Sequence, residues 1–530
     1  MNDNMQRGHA AVKAQNIEAA VQYFERAWKE NPEDPLAQAW LGQSLCSMGQ
    51  NKEGQAHLRQ AGIHFIQTSV TSKSKNINLI LEVATQLQHW GDFQGALELL
   101  SKAIEINNSE FRCFQLIAAT YAQLNKKKEA LLAGEKALKL EPDNRMMQVF
   151  LATLEADIGL NDVAKNRLEQ VLTLQLNARE AFRAHKELAR VLDKLGHYDS
   201  VFKHLQASAE LSNYLPEYSK QNINLVPNML KANTLGYNRA LMGRWSATQF
   251  PTNQPAPIFL MGFMRSGTTL TQEVLDAHPK VMVADEADFI WAMQNELQRM
   301  DSFNSSTAEK LQKLDLEGVM HLREFYWARV RSRFGDTLDQ RIFVDKFTMN
   351  TLDIGIINCI FPDAKIIFVM RDPRDVCLSC FMQQMTPTAT TAHLLSWKGT
   401  AKFYAEVMAW WMYIKQEMTV DFIEFRYEDA IAEFEVTFRK VFDFVGVDWD
   451  PAVIHFHQHA AEKHITTPSR TQVSQPLYAS SVYRWQHYET EFSGIAKMLV
   501  PFISAFAYLA HRDIVSKPKW DLSNFNRKSN

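Results

Sequence analysis

Along the first 212 residues, small and large apolar positions recur at helical spacing, and the whole pattern returns at a longer interval. Ala20, Phe24, Ala27 and Pro32 set the unit. Leu41, Gly42, Gly49 and Ala61 repeat it, with Ala61 standing 34 residues beyond Ala27. Further copies carry Gly91, Ala96 and Ala103, then Tyr121, Ala130, Ala137 and Pro142, then Gly159 and Ala164, with a weaker last copy at Gly196, Val201, Leu205 and Ser208. Small residues at these places let two antiparallel helices approach closely, while the large apolar residues between them stack on the next pair. The pattern predicts an all-α solenoid of about six helical pairs over residues 1–212. Between Ala61 and Ala103 the interval stretches to 42 residues, which predicts a loop insertion around Ser69 to Asn76.

Beyond Asn213 the periodicity changes. Residues 213–256 read as a helical linker ending at Phe250 to Pro257, where Pro251, Pro255 and Pro257 disfavour helix. Ile258 to Met261 is a wholly apolar run, the pattern of a strand buried on both faces, and Thr269 to Asp276 reads as the helix that follows. Lys365 to Met370 and Asp421 to Phe425 are further strand candidates. A multidomain chain follows: the solenoid, then a three-layer α/β domain with a parallel sheet over residues 257–515, then a tail at 516–530. Polar groups just past the strand ends converge on one crevice in such a sheet.

Composition narrows the partners. At 530 residues the chain exceeds one hydrophobic core, and a net charge of -3 supplies no long-range attraction for nucleic acid or an anionic membrane. The five cysteines form no zinc-ligand framework; Cys377 and Cys380 make one C-x-x-C pair that reads as packing. The polar start Met1 to Arg7 and the lack of an apolar run of about 18 residues predict a cytoplasmic protein without a membrane span. His455, His457, His459 and His464 do not share one helical face, so no metal site is expected.

Gly262 to Thr269 fits the phosphate-loop pattern G-x-x-x-x-G-K-[ST], except that Thr268 takes the lysine position and the cation sits on Arg265. Such a loop can hold a phosphate with its backbone N–H groups but is poorly built for ATP hydrolysis.

The repeats resemble tetratricopeptide units, and residues 255–510 resemble the sulfotransferase family, within it the tyrosylprotein branch. The branch likeness rests on Arg265 to Leu270, on Leu275 to Pro279 and on the acidic pair Asp285 and Glu286. The resemblance implies a sulfuryl donor, 3′-phosphoadenylyl sulfate (PAPS), leaving adenosine 3′,5′-bisphosphate. It implies catalytic roles for Glu286 as base and for Lys346 and Arg265 as cations. Arg265, Ser266, Gly267, Thr268 and Thr269 would hold the 5′ end, Arg371 and Ser379 the 3′-phosphate, and Tyr427, Ser469 and Arg484 would complete the nucleotide site. Two departures from the branch, Asp345-Lys346-Phe347 around the lysine and Gln383 where arginine is expected, leave the acceptor open. Protein tyrosine presented by the repeats is the first expectation, with a small molecule, lipid or glycan as the alternative. Trp291, Phe325, Tyr326, Trp327, Trp410, Trp411 and Tyr413 could line an acceptor pocket. A P-loop kinase, an NTPase and a non-catalytic adaptor are the competing classes, and a homodimer is left open.

Overall fold

A computed structural model describes residues 3–69, 75–251, 255–300, 305–338, 340–462 and 473–508. The chain divides into two compact units, Met1–Leu195 and Gly196–Asn530.

The first unit is helical throughout, its pairs beginning with Asp3–Lys13 and Ile17–Glu30 and continuing to the single helix Ala178–Lys194. Side-chain caps open many of these helices: Asn16, Asp34, Asp92, Asn144 and Asn177 each accept a backbone N–H from the first turn. The small residues act as expected of them. A Cβ on Gly54 would lie 2.5 Å from the Gly42 carbonyl oxygen, so Pro35–Ser47 and Asn51–Ser69 pack backbone to backbone. Part of the expected insertion is helix, because Asn51–Ser69 runs on through Ser69 and Lys75–His89 begins at Lys75; positions 70–74 lie outside the described residues.

The helix Tyr198–Ser212, which the sequence pattern places in the solenoid, belongs to the second unit. Its Phe202 lies 5.2 Å from Trp397, 5.4 Å from Tyr488 and 5.8 Å from Phe381 between ring centroids. Contacts of this size hold it more firmly than a repeat register does. Residues 213–256 are likewise no free linker. Asn358 Nδ2 donates to the Met242 carbonyl at 2.7 Å and Tyr413 Oη to that of Tyr237 at 2.7 Å.

Five parallel strands form the sheet of the second unit: β1 (Ile258–Gly262), β2 (Val281–Asp285), β3 (Ile342–Lys346), β4 (Lys365–Met370) and β5 (Asp421–Arg426), in the order β2-β3-β1-β4-β5. Alternate side chains serve opposite layers. Leu260, Val344, Ile367 and Phe425 pack with Val274, Phe438 and Phe442 of helices Thr268–Asp276 and Phe434–Val445. On the other face Phe259 meets Tyr326 and Phe361, and Phe368 stacks on Trp411 at 3.7 Å with the rings 2° from parallel. This is the three-layer arrangement, and truncating a ring such as Phe368 would destabilise it by about 3–5 kcal/mol. The sequence pattern foresees β1, β4 and β5 but not β2 and β3. No helix among the described residues is long and apolar enough to cross a membrane.

Candidate active site

β1 and β4 are neighbours whose connections leave toward opposite edges of the sheet, β2 and β5, so their carboxyl ends form its switch point. The loop after β1 and Arg371 after β4 meet there. Gly267 has φ 106 and a Cβ on it would lie 2.5 Å from Tyr427 Cδ2, so both the backbone and the close ring require glycine. Arg265 also takes a left-handed φ of 66, uncommon for a side-chain-bearing residue, and it sends its guanidinium to Ser379, Nε donating to Oγ at 3.0 Å.

Arg371 closes the same corner. Its Nη1 donates to the Arg265 carbonyl at 3.0 Å, its Nη2 to that of Ser481 at 2.5 Å, and its guanidinium lies 5.0 Å from the Tyr427 ring centroid. Tyr427 Oη and Ser481 Oγ are 2.9 Å apart. Burial, joined by the charge of Arg371, pulls Arg265 below the usual arginine value. At Arg371 burial acts the same way, but Asp375, Tyr427 and Glu428 more than offset it. Two buried guanidinium groups side by side favour an anion between them. Among the described residues Ser266 Oγ and Arg371 Nε are buried without a hydrogen-bond partner.

At the neighbouring strand ends, Lys346 has no solvent exposure and its Nζ donates to Glu286 Oε1 at 2.8 Å and Asp285 Oδ1 at 3.2 Å. Glu286 stands at φ 45, held by its own N–H donating to the Lys346 carbonyl at 2.8 Å. Left-handed backbone outside glycine carries about 1–2 kcal/mol of strain, and such strain concentrates at functional sites. Thr348 Oγ1 donates to Glu286 Oε1 at 3.3 Å and lies 2.9 Å from Thr268 Oγ1, so hydroxyls connect the acidic residue to the first helical turn after the loop.

The structure thus brings together Arg265, Ser266, Gly267, Thr268, Arg371, Ser379 and Tyr427 in one group and Glu286 with Lys346 beside it; Thr269 is buried at the same helix start. Ser469 lies outside the described residues. Arg484 Nη2 is directed at Met382 Sδ, 3.3 Å away, and it is Arg374 that covers Trp485, at 3.8 Å. Of the aromatic residues that could either line an acceptor pocket or pack as core, Tyr326, Trp327, Trp410 and Trp411 are core residues, and Trp291 is 63% exposed. Thr348, Tyr478 and Ser481 were not singled out in the sequence, and only Thr348, two residues past Lys346, carried any signal. Cys377 and Cys380 are buried free thiols, and burial pushes Cys380 up to about 12, which leaves them as packing. Among the described residues no three His, Cys, Asp or Glu side chains converge as metal ligands; His464 lies outside them.

Residues 257–451 match the model of the sulfotransferase family, and residues 11–64 and 111–144 match two tetratricopeptide-repeat models. The chain joins tetratricopeptide repeats to a sulfotransferase-family domain. It is 25% identical to an uncharacterized protein of Aquifex aeolicus (strain VF5) over 414 residues, covering 76% of this chain and 52% of that one. It is also 25% identical to protein-tyrosine sulfotransferase A of Caenorhabditis elegans over 240 residues, covering 44% of this chain and 62% of that enzyme. The matches span between half and two thirds of these relatives' own length. Among solved structures, the sulfotransferase domain of the Synechococcus PCC 7002 olefin synthase is 20% identical and aligns over 49% of this chain and 98% of its own, with a TM-score of 0.33. The sulfotransferase-family domain places the loop after β1 and its Lys346–Glu286 pair at adjoining strand ends.

Proposed function

We propose that the chain transfers a sulfuryl group from PAPS to an acceptor hydroxyl, with protein tyrosine presented by the repeats as the first candidate acceptor. The reading rests above all on the meeting of Arg265, Ser379 and Arg371 at one switch point, with the Lys346–Glu286 pair alongside. The residues suit a nucleotide with separate phosphates: Ser266 Oγ and Arg371 Nε are buried donors in want of acceptors, and two guanidinium groups lie together. The space enclosed by Arg265, Arg371, Tyr427, Tyr478 and Ser481 is about 50 Å³, below the roughly 300 Å³ at which ligand pockets begin.

PAPS, when bound, supplies a sulfuryl group on an anionic leaving group. Glu286, with 36% of its side chain exposed, is open to an acceptor hydroxyl and takes its proton on the carboxylate. Lys346, fully buried, and Arg265 provide fixed positive charge where negative charge develops. Asp285 remains beside Lys346 as a counter-ion once Glu286 is protonated. Thr268 and Thr269 contribute hydroxyls at the helix start, and Arg371 and Ser379 fix the far end.

Incubation with radiolabelled PAPS and either pooled tyrosine peptides or a metabolite extract tests this. Label on peptide supports the first acceptor, label on a metabolite supports the alternative, and no transfer to either contradicts the activity.

A further inference from the structure

We propose that Thr348 is a positioning residue that couples the base Glu286 to the phosphate loop, an inference that rests on the sulfotransferase reading above. Thr348 is 7% exposed and begins the short turn Thr348–Asp353 directly after β3, so its hydroxyl is set by the same strand that carries Lys346. A second anchor fixes that turn: Thr351 Oγ1 donates to the Gly262 carbonyl at 2.7 Å, which ties it to the last residue of β1.

The direction of the hydrogen bonds follows from counting protons. Thr348 has one hydroxyl proton, and Glu286, as a carboxylate, can only accept, so Thr348 donates to Oε1 at 3.3 Å. Thr348 Oγ1 can then only accept from Thr268 Oγ1, 2.9 Å away. The result is a directed chain in which Thr268 donates to Thr348 and Thr348 donates to Glu286. Thr268 is the first residue of the helix Thr268–Asp276, whose N-terminal end faces any anion held by the loop.

Two consequences separate this role from simple packing. The hydroxyl holds Glu286 Oε1 in place beside Lys346, so the carboxylate meets an incoming hydroxyl in one orientation. An anion in the loop competes for the Thr268 proton. When Thr268 turns to that anion it withdraws its donation, and the bond from Thr348 to Glu286 changes with it. The position of the base is thereby coupled to loop occupancy through two hydroxyls rather than through a moving segment.

The test compares Thr348→Val, which keeps the shape, with Thr348→Ser, which keeps the hydroxyl. The substrates are radiolabelled PAPS and the pooled tyrosine peptides and metabolite extract. In Thr348→Val, kcat is expected to fall about tenfold while KM for PAPS and affinity for adenosine 3′,5′-bisphosphate stay within about twofold. Thr348→Ser should recover kcat to within about threefold of wild type. Unchanged bisphosphate affinity shows that the Val variant folds. The proposal is overturned if Thr348→Val turns over at the wild-type rate, if Thr348→Ser is as slow as Thr348→Val, or if bisphosphate affinity falls together with kcat. A wild-type chain that transfers nothing defeats the underlying reading instead, which keeps the two failures distinct.

Discussion

Lys346 Nζ lies 2.8 Å from Glu286 Oε1, with the lysine side chain wholly enclosed and the glutamate side chain 36% exposed. An enclosed ammonium needs its counter-charges, and an acidic group that faces outward can exchange protons with an incoming molecule. This asymmetry assigns the base to Glu286 and the fixed charge to Lys346. Glu286→Gln should lower transfer by about 10²–10⁴-fold while adenosine 3′,5′-bisphosphate still binds. Transfer at the wild-type rate in a variant that binds the bisphosphate would remove Glu286 from the chemistry.

Arg371 reads the distal phosphate if the proposal is right, so a ligand without that phosphate should not sense its loss. Arg371→Ala should weaken adenosine 3′,5′-bisphosphate by about tenfold or more, as expected for charge-assisted hydrogen bonds of about 1.5–3 kcal/mol. Binding of adenosine 5′-monophosphate should change by no more than about threefold. Equal losses for both ligands, measured by calorimetry, would show that Arg371 supports the loop through the Arg265 and Ser481 carbonyls rather than reading a phosphate.

Gly267 is required twice over, by its φ of 106 and by the Tyr427 ring 2.5 Å from where a Cβ would stand. Gly267→Ala should destabilise the domain by about 1–3 kcal/mol and weaken bisphosphate binding. The double variant Gly267→Ala with Tyr427→Ala removes the clash but keeps the backbone strain, so it should bind the bisphosphate more weakly than Tyr427→Ala alone. Binding equal to that of Tyr427→Ala would show that the clash alone was at issue.

Asp345 makes a prediction about pH. It is fully buried next to Lys346, Oδ2 accepts from Tyr326 Oη at 2.9 Å, and Oδ1 has no partner among the described residues. Burial pushes its carboxyl up to about 7 from an ordinary value of 3.8, against the lowering effect of the Tyr326 hydroxyl. Because the folded state holds this proton more tightly than the unfolded one, the stability it contributes is present below about pH 4 and is lost as the pH rises toward 7. Asp345→Asn should therefore gain on the wild type by up to about 4 kcal/mol between pH 4 and pH 8, read from denaturant midpoints. A wild-type minus variant difference that does not change with pH would show that Asp345 does not titrate in this range.

What the sequence made legible was local. Arg265 to Thr269 lie in one loop that its own motif marks, and Arg371 and Ser379 lie on one strand end and the next helix, where the family resemblance pairs them. The linkage of Thr348 to Thr268 spans 80 residues and depends on β3 lying beside β1, a neighbourhood no spacing reveals. β2 and β3 escaped notice because each ends on a charged group, Asp285 and Lys346, which are groups the site uses. The aromatic residues misled for a related reason: Tyr326 and Trp411 have the composition of a pocket wall, but their rings fill the layer over Phe259 and Phe368. Phe202 of the helix Tyr198–Ser212 finds aromatic partners at Trp397 and Tyr488, a tertiary preference that a repeat register does not encode.

The central claim is that the crevice between β1 and β4 takes a nucleotide phosphorylated at both the 3′ and 5′ positions. Titration calorimetry of the intact chain with adenosine 3′,5′-bisphosphate, and separately with ATP, tests it most directly. The account predicts saturable binding of the bisphosphate, weakened in Arg371→Ala, and binding of ATP at least about tenfold weaker. Tight ATP binding with no heat from the bisphosphate would contradict it.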